Sequence, residues 1–598
     1  MDLEYPTAKV PYNEIFDPTA SAGKCNFALK VLTLATKAKL GHVNPENLSA
    51  ALAHIVRSAV DAGDINLPAE AVPEAPRVER PKSRDHGDWA TNIAMQLGKR
   101  AGMNPRQFAE IVAPKIQQLD GVASVEIAGP GFINITLDAA AAGELARTIV
   151  EAGQAYGRND QAVGDVVNLE FVSANPTGPL HIGHTRWAAL GDAISRLLRA
   201  SGASVTNEYY INDYGAQLET FAASVWARMH GQDVPEGGYP GQYVYDIADA
   251  ILAEDPTIKD KTYEDALPQL RTRAYQIQLE EIRATLDEFA VHFDVWFSEA
   301  RLHEDGAVAD ALERLKAQGH TYEQDGAFWL RTTDFGDDKD RVLIKADGKP
   351  TYFAGDAAYY LSKKDRGFEQ KIYLLGADHH GYVNRLRALA ACAGDDMDDN
   401  IEVLIGQLIS VNGARLSKRA GNIIELRDLI DWLGVDALRY SLARYPNDSP
   451  MEIDPDLLRS QTNDNPVFYV QYAHARSRSA ARTADAQGLV RDVEKFDAAS
   501  LNHPAEEELL SKLAQFPSVV GAAAKGRAPH RVARHLESIA AAYHQWYGAC
   551  RIVPAPEQDG TKPAPETVNY SRRWLNDATT QVLANGLGLL GVSAPEKM

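Results

Sequence analysis

Two histidines, His181 and His184, stand three residues apart with Gly183 between them, at the end of the segment Glu170–His184. That spacing puts both imidazoles on one side of a first helical turn. Ahead of them the apolar run Val166–Val172 reads as a buried strand, and Ser173–Leu180, with Pro176, Gly178 and Pro179, as the loop that leaves it. A helix starting beyond a buried strand turns its free N–H groups and positive dipole end toward the crevice, where a phosphate is stabilised. Two imidazole donors there can grip a phosphoryl oxygen as charge builds during displacement at phosphorus, each worth ~2.7–4 kcal/mol of transition-state stabilisation. Gly183 leaves room for a flat base against the backbone. Far downstream, Gly413–Gly421 gathers Arg415, Ser417, Lys418 and Arg419 among small residues. This composition suits a phosphate-gripping loop, with Lys418 as a point charge for a leaving pyrophosphate. Alone, H-x-x-H is equally a metal motif or a pair of helix-start histidines, and a basic loop is equally solvated surface. Together, across a parallel sheet, they point to nucleotidyl transfer.

The elements that must hold these residues are legible in outline. After the histidines, Trp187, Leu190, Ile194, Leu197 and Leu198 share one helical side, Gly202 stops the helix, and a second strand begins at Val205. Strand, loop, helix and strand form a βαβ unit, so a parallel, Rossmann-like sheet is expected. Residues 216 to about 335 are charged and read as a helical insertion, and apolar strands return at Ile372–Leu375 and Val403–Ile405. Upstream, residues 44–140 read as an α+β unit. It has a helix over Leu48–Val60, a second over Asp88–Lys99, and strands Val122–Ile127 and Phe132–Leu137 turned at Gly129-Pro130-Gly131. From Asp454 the pattern is helical almost to Met598, an all-α bundle. The expected organisation is α/β multidomain: an extension over 1–43, the α+β unit over 44–140, a catalytic domain over 160–453 and the bundle over 454–598. The extension lacks acidic residues from Pro18 to Pro45 while Lys24, Lys30, Lys37 and Lys39 recur. It reads as a dispensable extension or an upstream start, or else as an amphipathic organelle-targeting segment.

Composition excludes several classes. A chain of 598 residues needs several cores, and 45% apolar with 24% charged residues fits a globular protein. No apolar run approaches the ~18 residues of a membrane helix. Three scattered cysteines, Cys25, Cys392 and Cys550, exclude a disulfide scaffold and argue against structural zinc. A cytoplasmic protein is expected. A net charge of −21 makes the whole chain repel nucleic acid, so any RNA surface must be local. Residues 466–551 carry 11 Lys and Arg against 8 Asp and Glu, and Tyr469, Tyr472, His474, Arg476 and Arg478 interleave rings with cations there, as single-stranded RNA loops require.

The histidine segment and the Arg415–Arg419 loop resemble the two signatures of class I aminoacyl-tRNA synthetases, and from Asn44 onward the chain resembles the arginyl-tRNA synthetase family. Further family-like stretches are Gly87–Asn92, Gly129–Asn134, Tyr210–Asp213, Thr351–Asp356, Gly376–Tyr382, Asp436–Arg439, Asn465–Arg476 and Ala594–Met598. The second signature departs from K-M-S-K-S: arginine replaces its first lysine and its last serine. The resemblance implies ATP, brought as its Mg²⁺ complex, as co-substrate of L-arginine and tRNA(Arg), no structural metal, and a monomer. It implies His181, His184 and Lys418 as catalytic residues, with Gly183, Ser417, Gly376 and Asp378 at ATP. Asp378 fits either the ribose or the amino acid. A guanidinium calls for planar, bidentate acceptors. By resemblance Asp356 and Tyr352 hold it, Glu170 and Asn175 hold the α-amino end, and Phe132, Asn134, Tyr472 and Arg476 meet tRNA. A site that pairs a buried carboxylate with its substrate rejects analogues by ~10⁴–10⁵, so no editing domain is expected. The family also implies activation only after tRNA docks.

Other readings remain: a non-catalytic RNA-binding paralogue, another class I specificity, or, from Asp378-His379-His380, a metal-dependent phosphoesterase. Asn585–Gly591 spells G-x-G-x-x-G but follows a helix with seven residues left, so no dinucleotide unit forms there.

Overall fold

Apolar faces set the architecture, and the computed structural model describes residues 45–81, 83, 86–407, 409–411, 424–555 and 563–598. The N-terminal extension and the loop carrying Arg415, Ser417, Lys418 and Arg419 lie outside the described residues. The chain divides into two units, residues 1–142 and 143–598.

In the first unit, α1 (Pro45–Asp61) buries Leu48, Leu52, Ile55 and Val56 along one stripe. Strands β1 (Val78–Glu79) and β2 (Trp89–Thr91) are followed by helices α2 (Ile93–Leu97) and α3 (Pro105–Ile116). Strands β3 (Val122–Ala128) and β4 (Phe132–Leu137) complete an antiparallel sheet in the order β1-β2-β4-β3. The helix expected over Asp88–Lys99 is instead β2 plus the short α2. Buried Thr91 explains the difference: its hydroxyl donates to Arg77 O at 2.8 Å and accepts Ile93 N–H, so pairing with β4 overrides helical propensity.

The second unit is built on five parallel strands. Strand β5 (Val166–Glu170) leads through α4 (Ile182–Ala200) to β6 (Ser204–Ile211), the βαβ unit. Helices α5 (Ala216–Met229), α6 (Gln242–Glu254) and α7 (Tyr263–Glu288) pack around Phe221, Val225, Val244, Ile247 and Leu270. The insertion is not all helical, however. Strand β7 (Val295–Ser298) joins the main sheet beside β6 and runs into α8 (Glu299–Glu304). Beyond α9 (Ala307–Ala317), β8 (Thr321–Gln324), β9 (Ala327–Leu330) and β10 (Arg341–Ile344) form a separate antiparallel sheet. Helix α10 (Tyr352–Asp365), β11 (Gln370–Gly376), α11 (Tyr382–Cys392) and β12 (Ile401–Gly406) complete the main sheet, ordered β12-β11-β5-β6-β7.

Strand β13 (Ile409–Val411), helices α12 (Leu426–Leu433) and α13 (Val435–Ala443), and strand β14 (Met451–Ile453) lead to four long helices. These are α14 (Pro466–Asp485), α15 (Pro504–Lys525), α16 (His530–Ala549) and α17 (Thr567–Leu589). Arg439 on α13 is the node that locks α4 in place. Its buried guanidinium pairs with Asp192 on α4 and donates to Phe289 O at 2.9 Å, Ala290 O at 3.2 Å and Leu590 O. Gly591, in the left-handed region at φ +67°, lies so near this guanidinium that a Cβ would sit 1.9 Å from a nitrogen. This close approach is what one of the glycines of the G-x-G-x-x-G run serves.

Candidate active site

From β5 the chain runs outward through β6 and β7, and then in the other direction through β11 and β12. The carboxyl ends of β5 and β11 therefore border a topological switch point, the place where open α/β sheets bind ligands. A cavity of about 690 Å³ opens there, lined by Glu170, Asn175, His181, Gly183, His184, Tyr210, Asp356 and Gly376, among others.

One end carries the histidines. His181 is the N-cap of α4, and its Nδ1 accepts the Gly183 N–H at 3.1 Å, while His184 Nδ1 accepts the His181 N–H at 3.3 Å. A neutral imidazole that accepts at Nδ1 carries its proton on Nε2, so the reciprocal cap sets both rings as Nε2–H donors. Burial lowers the pKa of His181 and favours this neutral form. The ring centroids lie 4.0 Å apart. A Cβ on Gly183 would meet His181 Cε1 at 2.8 Å, so glycine is what lets the ring fold back over its own helix start. Beside them, Ile182 N–H donates to Ile424 O at 2.9 Å and Leu426 N–H to Leu180 O at 2.7 Å. Ile409, which precedes the Gly413–Gly421 segment, lines the cavity itself.

The other end carries carboxylates. Glu170 closes β5 and is followed by Val172 at φ 68° and Ser173 at φ 40°, consecutive non-glycine residues in the left-handed region. Each costs ~1–3 kcal/mol and persists only where surroundings over-determine it. Here they do: Ser173 Oγ donates to Glu170 Oε1 at 3.3 Å and accepts Tyr210 N–H at 3.1 Å, while Tyr209 Oη donates to Ala174 O at 2.9 Å. Asp356, on α10, is partly exposed to the cavity yet closed in by protein on its other sides. Burial, with Glu170 nearby, pushes its carboxyl up to about 7, against the lowering effect of the Tyr382 hydroxyl and Arg385. Asn175 is exposed at the rim, its side-chain amide 3.2 Å from that of Asn212, whose amide nitrogen donates to Glu299 Oε2 at 2.8 Å.

Tyr352 starts α10 and is 76% exposed, so it does not line the cavity. The backbone of Asp378 sits in a 3₁₀ turn after β11, and its side chain lies outside the described parts. In the first unit, Phe132 is 38% exposed at the start of β4, whereas Asn134 is buried. On α14, half-buried Arg476 donates to Tyr472 Oη at 3.0 Å and lies over the Tyr472 and Tyr547 rings at 4.8 and 5.1 Å. Tyr469 and Tyr472 both pack on His544. Two of the interleaved residues serve otherwise: buried His474 binds Pro595 O at 2.8 Å, and Arg478 pairs with Glu596 at 2.6 Å. Both pin the chain's last residues to α14.

Sequence reasoning missed Glu299 and Tyr210. Buried Glu299 begins α8, and burial pushes it up to about 7, reinforced by Asp356 and Asp213, while the Tyr210 hydroxyl donates to it. Asp213 fixes that helix start, accepting Ser298 Oγ at 2.6 Å and Ala300 N–H at 2.9 Å. The alternation Val291, Phe293, Val295, Phe297 was the available signal for β7, and a carboxylate just past a strand's carboxyl end was the signal for Glu299. Among the described residues, no three His, Cys, Asp or Glu side chains converge as a metal site. No described helix is long and apolar enough to cross a membrane.

Family models match in the same order as these units. An arginyl-tRNA synthetase N-terminal domain matches 46–137, a class I (R) tRNA synthetase catalytic domain matches 146–449, and a DALR anticodon-binding domain matches 470–598. The arginine–tRNA ligase of Micrococcus luteus is 66% identical over 560 residues, 93% of this chain and 100% of the relative. That of Paenarthrobacter aurescens is 65% identical over 556 residues with the same coverage. The solved Thermus thermophilus arginyl-tRNA synthetase, 23% identical, shares the fold with a TM-score of 0.68 over 92% of this chain and 100% of that one. With a cavity of this polarity at the switch point and identity at this level over nearly its whole length, the chain belongs to the arginyl-tRNA synthetase family of class I aminoacyl-tRNA synthetases.

Proposed function

We propose that this chain ligates L-arginine to the 3′ end of tRNA(Arg) in two steps, as an arginine–tRNA ligase. The arginine carboxylate attacks the α-phosphorus of ATP and pyrophosphate leaves; a terminal ribose hydroxyl of the tRNA then attacks the adenylate carbonyl and AMP leaves. ATP arrives as its magnesium complex, the metal carried by its phosphates. The nucleotide lies at the histidine end, over Gly183 and Gly376. The Nε2–H groups of His181 and His184 donate to the oxygens on which charge builds, and being fixed beforehand they need no reorganisation. Ser417, Lys418 and Asp378 complete that end by resemblance to the family.

Arginine lies across the cavity with its guanidinium toward Asp356 and Glu299 and its α-ammonium toward Glu170 and Asn175. Tyr352, one helical turn before Asp356, closes over the guanidinium end only by moving inward. Tyr472 and Arg476 offer a ring–cation face to unpaired tRNA bases, and Phe132 and Asn134 supply the N-terminal unit's contact.

The observation that carries this reading is the cavity's polarity: imidazole donors at one end, and at the other carboxylates of which Asp356 and Glu299 form no ion pair among the described residues. The test is ATP–pyrophosphate exchange across the twenty amino acids, with and without bulk tRNA. Exchange with arginine alone is expected, and only with tRNA present. Exchange with another amino acid refutes the pocket assignment, and no exchange despite tight tRNA binding favours the non-catalytic paralogue.

A further inference from the structure

Beneath the cavity lies an ion network of which the two-step reaction uses Glu170 alone. Tyr373 on β11, Glu170 on β5 and Glu208 on β6 stand level on three neighbouring strands. Two carboxylates are thus side by side on one face of the sheet, an arrangement that like-charge repulsion opposes. Helix α10 crosses that face and supplies the counter-charges. Lys363, its side chain 0% exposed, donates to Glu170 Oε2 at 2.6 Å and lies 4.0 and 4.3 Å from the Tyr373 and Tyr359 ring centres. Arg366 holds Glu208 through both terminal nitrogens, at 2.5 and 2.9 Å. Tyr359 Oη and Asn168 Nδ2 donate to the same carboxylate at 2.6 and 3.0 Å. Two anions and two cations balance before any substrate enters.

Arginine carries a cation at each end, so the row of carboxylates from Glu170 to Asp356 and Glu299 could take it either way round. Only one direction puts its carboxylate toward His181 and His184. The two ends differ in what they offer. Asp356 and Glu299 form no ion pair among the described residues and accept tyrosine hydroxyls instead. At Glu170 one oxygen is already committed to an ammonium and the other receives only the Ser173 hydroxyl. A guanidinium forks onto both oxygens of a carboxylate, whereas an ammonium needs one.

We propose that Lys363 is a specificity-determining positioning residue: by occupying Glu170 Oε2 it denies that end to a guanidinium, leaves a single acceptor for the α-ammonium, and so sets the direction in which arginine enters. The proposal rests on Glu170 being the α-amino contact. Lys363 itself touches no reacting atom.

The test compares Lys363→Met and Lys363→Arg by arginine-dependent exchange in the presence of tRNA, with agmatine, which is arginine without its carboxylate, as inhibitor. With Lys363→Met, Glu170 becomes a free bidentate acceptor. The arginine KM is expected to rise about tenfold, agmatine to inhibit at about threefold lower concentration or less, and the ATP KM to stay within about twofold. Lys363→Arg, which keeps a cation on Oε2, is expected to restore the arginine KM. Should Lys363→Met fail to fold, combining it with Glu208→Gln removes one buried carboxylate along with the ammonium, still frees Glu170 Oε2, and gives the same readout. ATP and arginine KM rising together, or agmatine inhibition unchanged, overturns the proposal. Glu170→Gln separates the two layers: an unchanged arginine KM there removes the α-amino contact itself, whereas a raised one alongside unchanged agmatine inhibition in the Lys363 variants removes only the role of Lys363.

Discussion

Lowering the pH from 8 to 6 is expected to weaken arginine binding far more than ATP binding, because the carboxylate end proposed for the guanidinium holds protons that arginine must displace. Burial pushes both Asp356 and Glu299 up to about 7 when the cavity holds no cation. A guanidinium pairing with either favours the ionised form, so binding depresses these values and releases protons. A group titrating near 7 is ionised in roughly one molecule in eleven at pH 6 and ten in eleven at pH 8, so needing one ionised carboxylate weakens apparent affinity about tenfold across that interval, and needing both up to ~100-fold. The two are coupled, Asp356 raising Glu299, so the observed steps belong to the pair. Above pH 8 the dependence flattens. Calorimetric titration of arginine near pH 6.5, in buffers of different ionisation enthalpy, counts the protons directly: about one to two released per arginine are expected, and fewer in Asp356→Asn. No proton release, with an arginine affinity flat between pH 6 and 8, would falsify the assignment of this end to the guanidinium.

Two further outcomes follow from the same geometry. Without arginine, these carboxylates stay protonated in the fold while their counterparts in the unfolded chain ionise above the ordinary values of 3.8 and 4.5. The unfolded state then binds fewer protons, so their contribution to stability falls as pH rises from about 4 to 7. Thermal melts should show that decline, shallower in Glu299→Gln and offset by saturating arginine; a contribution that rises over this window contradicts the burial argument. Gly183→Ala places a methyl 2.8 Å from His181 Cε1. The ring must swing away and give up its bond from Gly183 N–H, and pyrophosphate exchange should drop ~10²-fold with the circular dichroism unchanged; retained activity refutes the need for the folded-back ring.

What was legible in the sequence was whatever local chemistry specifies. The continuous apolar run of β5, the Pro/Gly loop and the helix stop at Gly202 each have a local cause, and they located the βαβ unit and its two histidines. The strand β7 and the β8–β9 hairpin were just as local but were passed over inside a charged stretch. Asp325 and Gly326 take φ 54° and 75°, the paired positive values of a two-residue hairpin turn, and Asp-Gly is the dipeptide that marks it. A high density of charge points to helix over this stretch, and the Asp-Gly turn is the local signal that outweighs it. The mistaken helix at Asp88–Lys99 has a different cause, because Thr91 chooses the strand only through a partner, Arg77, that local pattern does not bring near.

The missed parts of the candidate site share that second cause, and this bears on how arginine is chosen. Glu299, Glu208 and Lys363 lie far from the histidine motif in sequence, and none belongs to a spacing that implies chemistry. Their meaning arises only when β7 is laid beside β6 and α10 is laid across Glu170 and Glu208. A list of carboxylates near the cavity would count Glu170, Asp356 and Glu299 as equivalent acceptors for a guanidinium. The fold makes them unequal by giving a buried ammonium to one and none to the others. Selectivity for a molecule with two cationic ends therefore depends less on how many anions line the cavity than on which one has already been neutralised from behind.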